Sequence, residues 1–170
     1  MASKPEVVFS AQRFHIERRA LSRRDGGSEY RDVIVHPGSV VILPLLDDGR
    51  VVLIKNERVS IGRVLWELPA GTREPDEDPA LCAARELEEE TGYRAQSLAP
   101  IFSFYPTPGI SDERMYAYVA RGLIKTQQSL DPTEHIEPVP TSIDEVLRMI
   151  KMGEIEDAKT IATMLFWWTR

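Results

Sequence analysis

The chain has 170 residues, 42% of them hydrophobic, and a formal net charge of −6. That length suits one domain with a real core. Its basic residues form no stripe longer than Arg18-Arg19 and Arg23-Arg24, and no stretch approaches the roughly 18 apolar residues of a membrane span, which excludes a phosphate-gripping nucleic-acid binder and a membrane-spanning helix.

Taken in chain order, the N-terminal stretch "MASKPEVVFSAQ" lacks the apolar run of a signal peptide. Residues 12–35 alternate and break at "RDGGSE", where Asp25-Gly26-Gly27 reads as a hairpin turn because glycine tolerates positive φ. "SVVILPLLDDGRVVLIKN" reads as two strands joined at Asp47-Asp48-Gly49, both apolar enough to be central, and "LWELPAG" as one short strand ending at a glycine. A helix is expected from Pro79 to about Thr91, with Asp78 as N-cap, Pro79 at the first position and Gly92 as the C′ residue. "PIFSFYPTPG" and "RMYAYVARGL" read as a further strand pair around a Pro/Gly loop. Two helices finish the chain: "SIDEVLRMIKMG", capped by Ser142 and stopped at Gly153, and "DAKTIATMLFWW". Strands, helix, strands, helices: this order predicts an α/β (α+β) fold, an α/β/α sandwich around a mixed β-sheet, preceded by an N-terminal antiparallel sheet. The expected division is 1–35 as a strand or hairpin element and 36–170 as the main domain.

The negative charge is concentrated. Residues 71–92 hold eight acidic and two basic residues, −6 on their own, and the rest of the chain balances at 19 of each sign. On the expected helix, Ala80, Ala84 and Leu87 form an apolar line suited to packing on a sheet. Glu86 and Glu90 stack four residues apart, and Glu89 sits beside them, so three like charges share one ridge at a cost of a few tenths of a kcal/mol per pair, roughly, on an isolated helix. Glu88 points elsewhere, to solvent, and Arg85 can pair with a neighbouring carboxylate. A charge run of this kind is commonly just a solvated face. Here it follows a strand and a glycine loop, and clustered oxygen ligands suit hard divalent cations such as Mg²⁺ or Mn²⁺. No histidine or second cysteine stands nearby, which speaks against zinc. Cys82 is the only cysteine, so no intramolecular disulfide can form, and among alanines it reads as a small buried thiol. The default compartment is the cytoplasm.

Gly71, Glu77, Arg85-Glu86-Leu87, Glu89-Glu90, Gly92 and the bulky Tyr93 are spaced as G-x5-E-x7-R-E-U-x-E-E-x-G-U, which resembles the Nudix box without a gap. Seven fixed identities match by chance on the order of 10⁻⁸ per start position. Only Tyr93 departs, where an aliphatic residue is commoner. The flanks "HPGSVVILPLLDDGRVVLIKNERVSIGRVLWELPAG" and "FYPTPGISDERMYAYVARGL", with Pro108 fifteen residues beyond Tyr93, and the ending "MGEIEDAKTIATMLFW" are similar to the ADP-ribose pyrophosphatase subfamily. The likeness covers about residues 35 to 170.

The resemblance implies a Nudix-type fold and a Mg²⁺-dependent hydrolase, with Mn²⁺ able to substitute, that splits a nucleoside diphosphate sugar. In this subfamily ADP-ribose gives AMP and ribose 5-phosphate. GDP-mannose or another nucleotide sugar is the alternative substrate, and a sensing domain without turnover the alternative class. Carried over by position, Glu86 and Glu90 are metal ligands, the Ala70 carbonyl supplies one more oxygen, and Glu89 is a third ligand or the water-activating base. Gly71, Glu77, Arg85 and Gly92 support the loop–helix geometry. The base of the subfamily tends to come from an acidic loop after the box, here "SLDPTEHIEP", which makes Glu134 the candidate as base or additional ligand. Arg58 and Glu113 match positions near the substrate. Lys55, Asn56 and Glu57 depart from the subfamily's arginine-glutamine-aromatic, which bears on adenine preference. Trp66 is a stacking surface or a core tryptophan. The resemblance also implies a homodimer with residues 1–35 as the exchanged element, and no nucleic-acid or membrane partner.

Overall fold

The computed structural model describes residues 4–170. The first three residues of the expected N-terminal element lie outside them. The chain opens with an antiparallel meander of three strands, β1 (Glu6–Ser10), β2 (His15–Ser22) and β3 (Ser28–Val35). The β2–β3 turn falls where the glycines place it: Ser22 faces Ser28, and Gly26 takes φ of 86°. The expected hairpin thus carries one more strand, β1, on its outer edge.

Two sheets and three helices follow. A mixed sheet runs β7 (Ala70–Thr72), β4 (Ser39–Pro44), β9 (Met115–Lys125), β8 (Tyr93–Phe104), with β4 and β9 parallel and the other neighbours antiparallel. A second, antiparallel sheet runs β10 (Ile136–Thr141), β5 (Val51–Arg58), β6 (Arg63–Glu67). The helices are α1 (Pro79–Thr91), α2 (Ile143–Lys151) and α3 (Ala158–Trp168). Alternation along β4 sorts its side chains to two faces. Val40 and Ile42 pack with Cys82, Ala83 and Leu87 of α1, whereas Val41 and Leu43 pack with β5, α2 and α3 through Leu53, Val146 and Met164. This is the sandwich around a mixed sheet expected from the element order. β4 and β5 are central, each in its own sheet, and the Asp47–Gly49 turn carries the chain from one sheet to the other.

Some details differ from the pattern. "LWELPAG" is not one strand. β6 ends at Glu67 and β7 begins at Ala70 in the other sheet, with Leu68-Pro69 as the crossing between them. The expected acidic loop "SLDPTEHIEP" is shorter than its pattern suggests: its last three residues open β10, an edge strand on β5 that tolerates Pro138 and Pro140. On α1, Ala84 is exposed, and the buried line runs through Ala83 and Leu87 with Ala80 half-buried. On α2, Met149 shares the buried position with Val146, and Leu147 is half-buried. No helix among the described residues is long and apolar enough to cross a membrane.

Candidate active site

The strongly acidic helix begins as its sequence dictates. Asp78 accepts from the Ala80 N–H at 2.8 Å, Pro79 fills the first turn, and Gly92 closes the helix with φ of 67°. Its last two turns line an open cleft of about 1610 Å³, larger than the roughly 300–1000 Å³ of a pocket for a drug-sized molecule. Glu86, Glu89, Glu90, Ala70, Gly71, Arg85, Arg58, Glu113 and Glu134 all line this one cleft. The sites expected from local pattern and from resemblance are therefore brought together. The walls come from α1, the β5–β6 hairpin, the N-terminal meander and the segment before β10.

The three ridge carboxylates sit in different surroundings. Glu90 is only 4% exposed and accepts the Ala70 N–H at 2.8 Å. Burial pushes its carboxyl up to about 8; the Ala70 bond opposes this, and the Glu86 charge adds to it. Burial also raises Glu86, against the pull of Arg85. The Glu86 carboxyl lies directly on Gly71. A Cβ at position 71 would stand 1.9 to 2.3 Å from its atoms, so the glycine is a steric requirement of the site. Glu89 is the most open, with a side chain 41% exposed. Arg85 holds the group together. It donates to Glu77 at 3.0 and 3.1 Å, to Glu86 at 2.8 Å and to Glu89 at 2.9 Å. Its hydrogen bonds hold Glu77 down at about 2. Glu77 in turn accepts the Glu74 N–H at 2.9 Å and so fixes the loop before α1. Cys82 is buried and its thiol is pushed up to about 12 by desolvation, which disfavours the thiolate that a nucleophile or ligand needs.

Among the described residues, no three acidic, His or Cys side chains converge into a ready cage. Glu86 and Glu89 each accept a hydrogen bond from Arg85. The donor set still fits a hard divalent cation. It is all oxygen, it includes a desolvated carboxyl at Glu90, and the absence of a side chain at Gly71 lets the Glu86 carboxyl lie against the backbone next to Ala70.

Of the second charged group in the cleft, the sequence pattern singles out Arg58 alone. Glu67 is fully buried and is bound by Arg58 through two bonds of 2.8 and 2.6 Å and by the Lys159 ammonium. Lys159 also reaches Asp157 at 2.9 Å, and Asp157 caps α3 by accepting from the Thr160 N–H. Burial would raise the Glu67 carboxyl, but the Arg58 hydrogen bonds and both cations outweigh it and hold it below its usual range. Arg58, Glu67, Asp157 and Lys159 all reach the cleft. A signal existed in the sequence, a carboxylate between Trp66 and Leu68 in an apolar strand, but its partners stand up to 92 residues away.

Glu113 accepts the Ser39 hydroxyl at 2.5 Å, and its loop is stitched to the meander, with the Ile34 N–H donating to Ile110 O at 2.9 Å and the Asp112 N–H to Ile34 O at 3.1 Å. Glu134 lines the cleft and its carboxylate accepts the Asp131 N–H at 3.1 Å. Trp66 packs against the core, with the Lys55 ammonium 5.1 Å above its ring, and is not among the residues lining the cleft. Asn56 is buried and Glu57 exposed, and both line the cleft at the positions that depart from the subfamily.

Comparison with known proteins places these features in a family. The model of the NUDIX domain matches residues 35–164. The ADP-ribose pyrophosphatase of Bacillus subtilis (strain 168) is 34% identical over 157 residues, 91% of this chain and 85% of that protein. The methanol dehydrogenase activator of Bacillus methanolicus is 33% identical over 165 residues, 96% of this chain and 89% of that one. The GDP-mannose pyrophosphatase of Cronobacter sakazakii (strain ATCC BAA-894) is 30% identical over 158 residues, 83% and 80% of the two chains. A solved structure described as an ADP compounds hydrolase superposes with a TM-score of 0.86 over 99% of this chain and 92% of that one, at 21% identity, and shares the fold.

Proposed function

The chain belongs to the NUDIX family, and from that membership we propose that it hydrolyses the pyrophosphate bond of a nucleoside diphosphate sugar, with ADP-ribose as substrate and AMP and ribose 5-phosphate as products. The observation that carries this reading is the desolvated Glu90 beside Glu86 on one ridge of α1, with the bare backbone of Gly71 letting the Glu86 carboxyl lie against it. Glu86, Glu90 and the Ala70 carbonyl would hold a divalent cation, Mg²⁺ in the first place with Mn²⁺ able to replace it, and Glu89 completes the set. When bound, such a cation would supply neutralisation of the diphosphate and polarisation of the scissile P–O bond. Glu90, pushed up by burial, would be held there in its ionised form, so cation binding would release its proton.

The remaining roles belong to the protein. Glu134 accepts the proton of the attacking water, and if it is instead a ligand, that role passes to Glu89. Arg58 spends its Nε and Nη2 on Glu67, which fixes the guanidinium at the cleft edge and leaves Nη1 to meet phosphate oxygens. Glu113, held by Ser39, faces the ribose. Arg85 and Glu77 brace the loop–helix junction. Residues 1–35 pair two copies into a homodimer, which would cover apolar groups such as Val7, Phe9 and Val59, 55%, 53% and 91% exposed. The compartment we assign is the cytoplasm, in keeping with a single buried cysteine.

The test is incubation with Mg²⁺ and ADP-ribose, GDP-mannose or UDP-glucose, with products separated by chromatography. ADP-ribose should be cleaved fastest. Failure to hydrolyse any of them would sink the reading. GDP-mannose cleaved well ahead of ADP-ribose would replace the substrate, an outcome favoured by Asn56 and Glu57 standing where the subfamily carries glutamine and an aromatic.

A further inference from the structure

The last turn of α1 carries Glu89 and Glu90, and its carbonyls lack helical partners by construction. The chain leaving β9 satisfies them. The Thr126 N–H donates to Gly92 O at 2.7 Å and the Ser129 N–H to Glu89 O at 3.0 Å. This segment passes so close that a Cβ at Gly92 would stand 3.0 Å from the Gln128 nitrogen. Gln128 adds a contact of another kind. Its side-chain nitrogen donates to Glu90 O at 2.7 Å and to Ile136 O at 3.0 Å. Both partners are carbonyl oxygens, so only the amide nitrogen can face them, and both of its N–H donors are used.

These two bonds have a topological consequence. Glu90 ends the metal-binding ridge, and Ile136 opens β10. Gln128 stands at the start of the segment 129–135 and Ile136 at its end, so the amide closes the neck of a loop and fastens it to α1. Inside the loop the Glu134 N–H donates to Asp131 O at 2.9 Å, and the Glu134 carboxylate accepts from the Asp131 N–H at 3.1 Å. Glu134 thus sits on a small closed turn whose only described side-chain anchor to α1 is Gln128.

We propose that Gln128 is a positioning residue for hydrolysis: by joining the Glu90 and Ile136 carbonyls it closes the 129–135 loop against the end of α1 and holds Glu134 facing the cleft opposite the helix carboxylates. The inference rests on the role of Glu134 given above.

The experiment is a double-mutant cycle with kcat, KM and thermal midpoint measured for wild type, Gln128→Met, Glu134→Gln and the double variant, at saturating Mg²⁺ on the best-cleaved nucleotide sugar. Gln128→Met should lower kcat by about tenfold, the effect of two ordinary hydrogen bonds, with KM within about threefold. In the Glu134→Gln background it should cost nothing further, because there is no base left to place. Amide exchange in residues 129–135 should quicken while β9 and β10 stay protected. An unchanged kcat in Gln128→Met, or losses that multiply in the double variant, would overturn the inference and leave the role of Glu134 standing. Wild-type turnover in Glu134→Gln removes the base and the inference together. Should Gln128→Met melt below the assay temperature, Gln128→Ala enters the same cycle at lower temperature with the same outcomes.

Discussion

Two charged walls face each other across the cleft. On α1, Glu86, Glu89 and Glu90 fall within five residues of chain; Arg85 hydrogen-bonds Glu86 and Glu89, and the charge of Arg58 reaches Glu90 from the other wall. Across from them, Glu67 is sealed from solvent and paired on both sides, by Arg58 from β5 and Lys159 from α3. The first wall carries uncompensated negative charge and spends stability on it. The second is balanced, two carboxylates against two cations. An unbalanced wall is set up for a ligand of opposite charge. A balanced one is set up to hold its own members still, here the guanidinium of Arg58.

The sharpest way to break this contrast is to substitute one residue from each wall. Glu90→Gln keeps the shape and removes the charge. It should lower kcat by about 10³-fold or more, because a metal ligand is lost. The thermal midpoint without metal should stay or rise, since burying a carboxyl whose folded value is raised to about 8 costs stability at neutral pH and that cost is gone. Activity near that of wild type would remove Glu90 from the ligand set. Lys159→Met should do the reverse. It strands Glu67 and Asp157 with less positive charge and should cost about 3–5 kcal/mol in denaturant unfolding. A loss under about 1 kcal/mol would mean that water or a rearranged Arg58 replaces the ammonium, and that the wall is not held as a closed ionic group.

Gly71→Ala probes the same division more finely. The new methyl would collide with the Glu86 carboxyl, the end of a flexible side chain, so the fold can yield by swinging Glu86 away. Activity should fall by about tenfold to a hundredfold, the usual effect of misplacing a ligand, with little change in melting. Equal losses in activity and stability would show that Gly71 serves the backbone and not Glu86.

The contrast also explains what could be read from the chain. The helix of the first wall is a local object. Asp78, Pro79 and Gly92 mark its ends, and the i, i+3, i+4 spacing of Glu86, Glu89 and Glu90 fixes their shared ridge without reference to anything distant. The turn at Asp25–Gly27 is local in the same way. The second wall is the product of topology. Nothing near Glu67 names Lys159, which arrives only when α3 docks beside β6, and nothing near Gln128 names Ile136. The splitting of "LWELPAG" into β6 and β7 has the same origin, since the change of sheet at Leu68-Pro69 depends on where β4 and β5 lie. The apolar line of α1 lies one position from the i, i+4, i+7 pattern because its sheet contact follows a three-residue step at Ala80 and Ala83, and Ala84 is left outside.

The smallest expected effect concerns Arg85, which belongs to the first wall but partly balances it. Its guanidinium binds Glu77 through two bonds and holds that carboxyl at about 2, below its ordinary 4.5. A carboxylate with a depressed folded value stabilises the fold above its unfolded pKa, and that contribution is lost as pH falls through the window from about 4.5 to about 2. Glu77 is 15% exposed and also accepts the Glu74 N–H, so solvent screens it only in part. Glu77→Gln should therefore lower the thermal midpoint modestly at neutral pH and flatten its decline in acid, so that the two curves converge toward pH 2. If Arg85 instead serves mainly Glu86 and Glu89, the curves of wild type and variant would run parallel across that window. The loop–helix brace would then be a by-product of charge compensation on the ridge, and the line between a balanced and an unbalanced wall would have to be redrawn at Arg85.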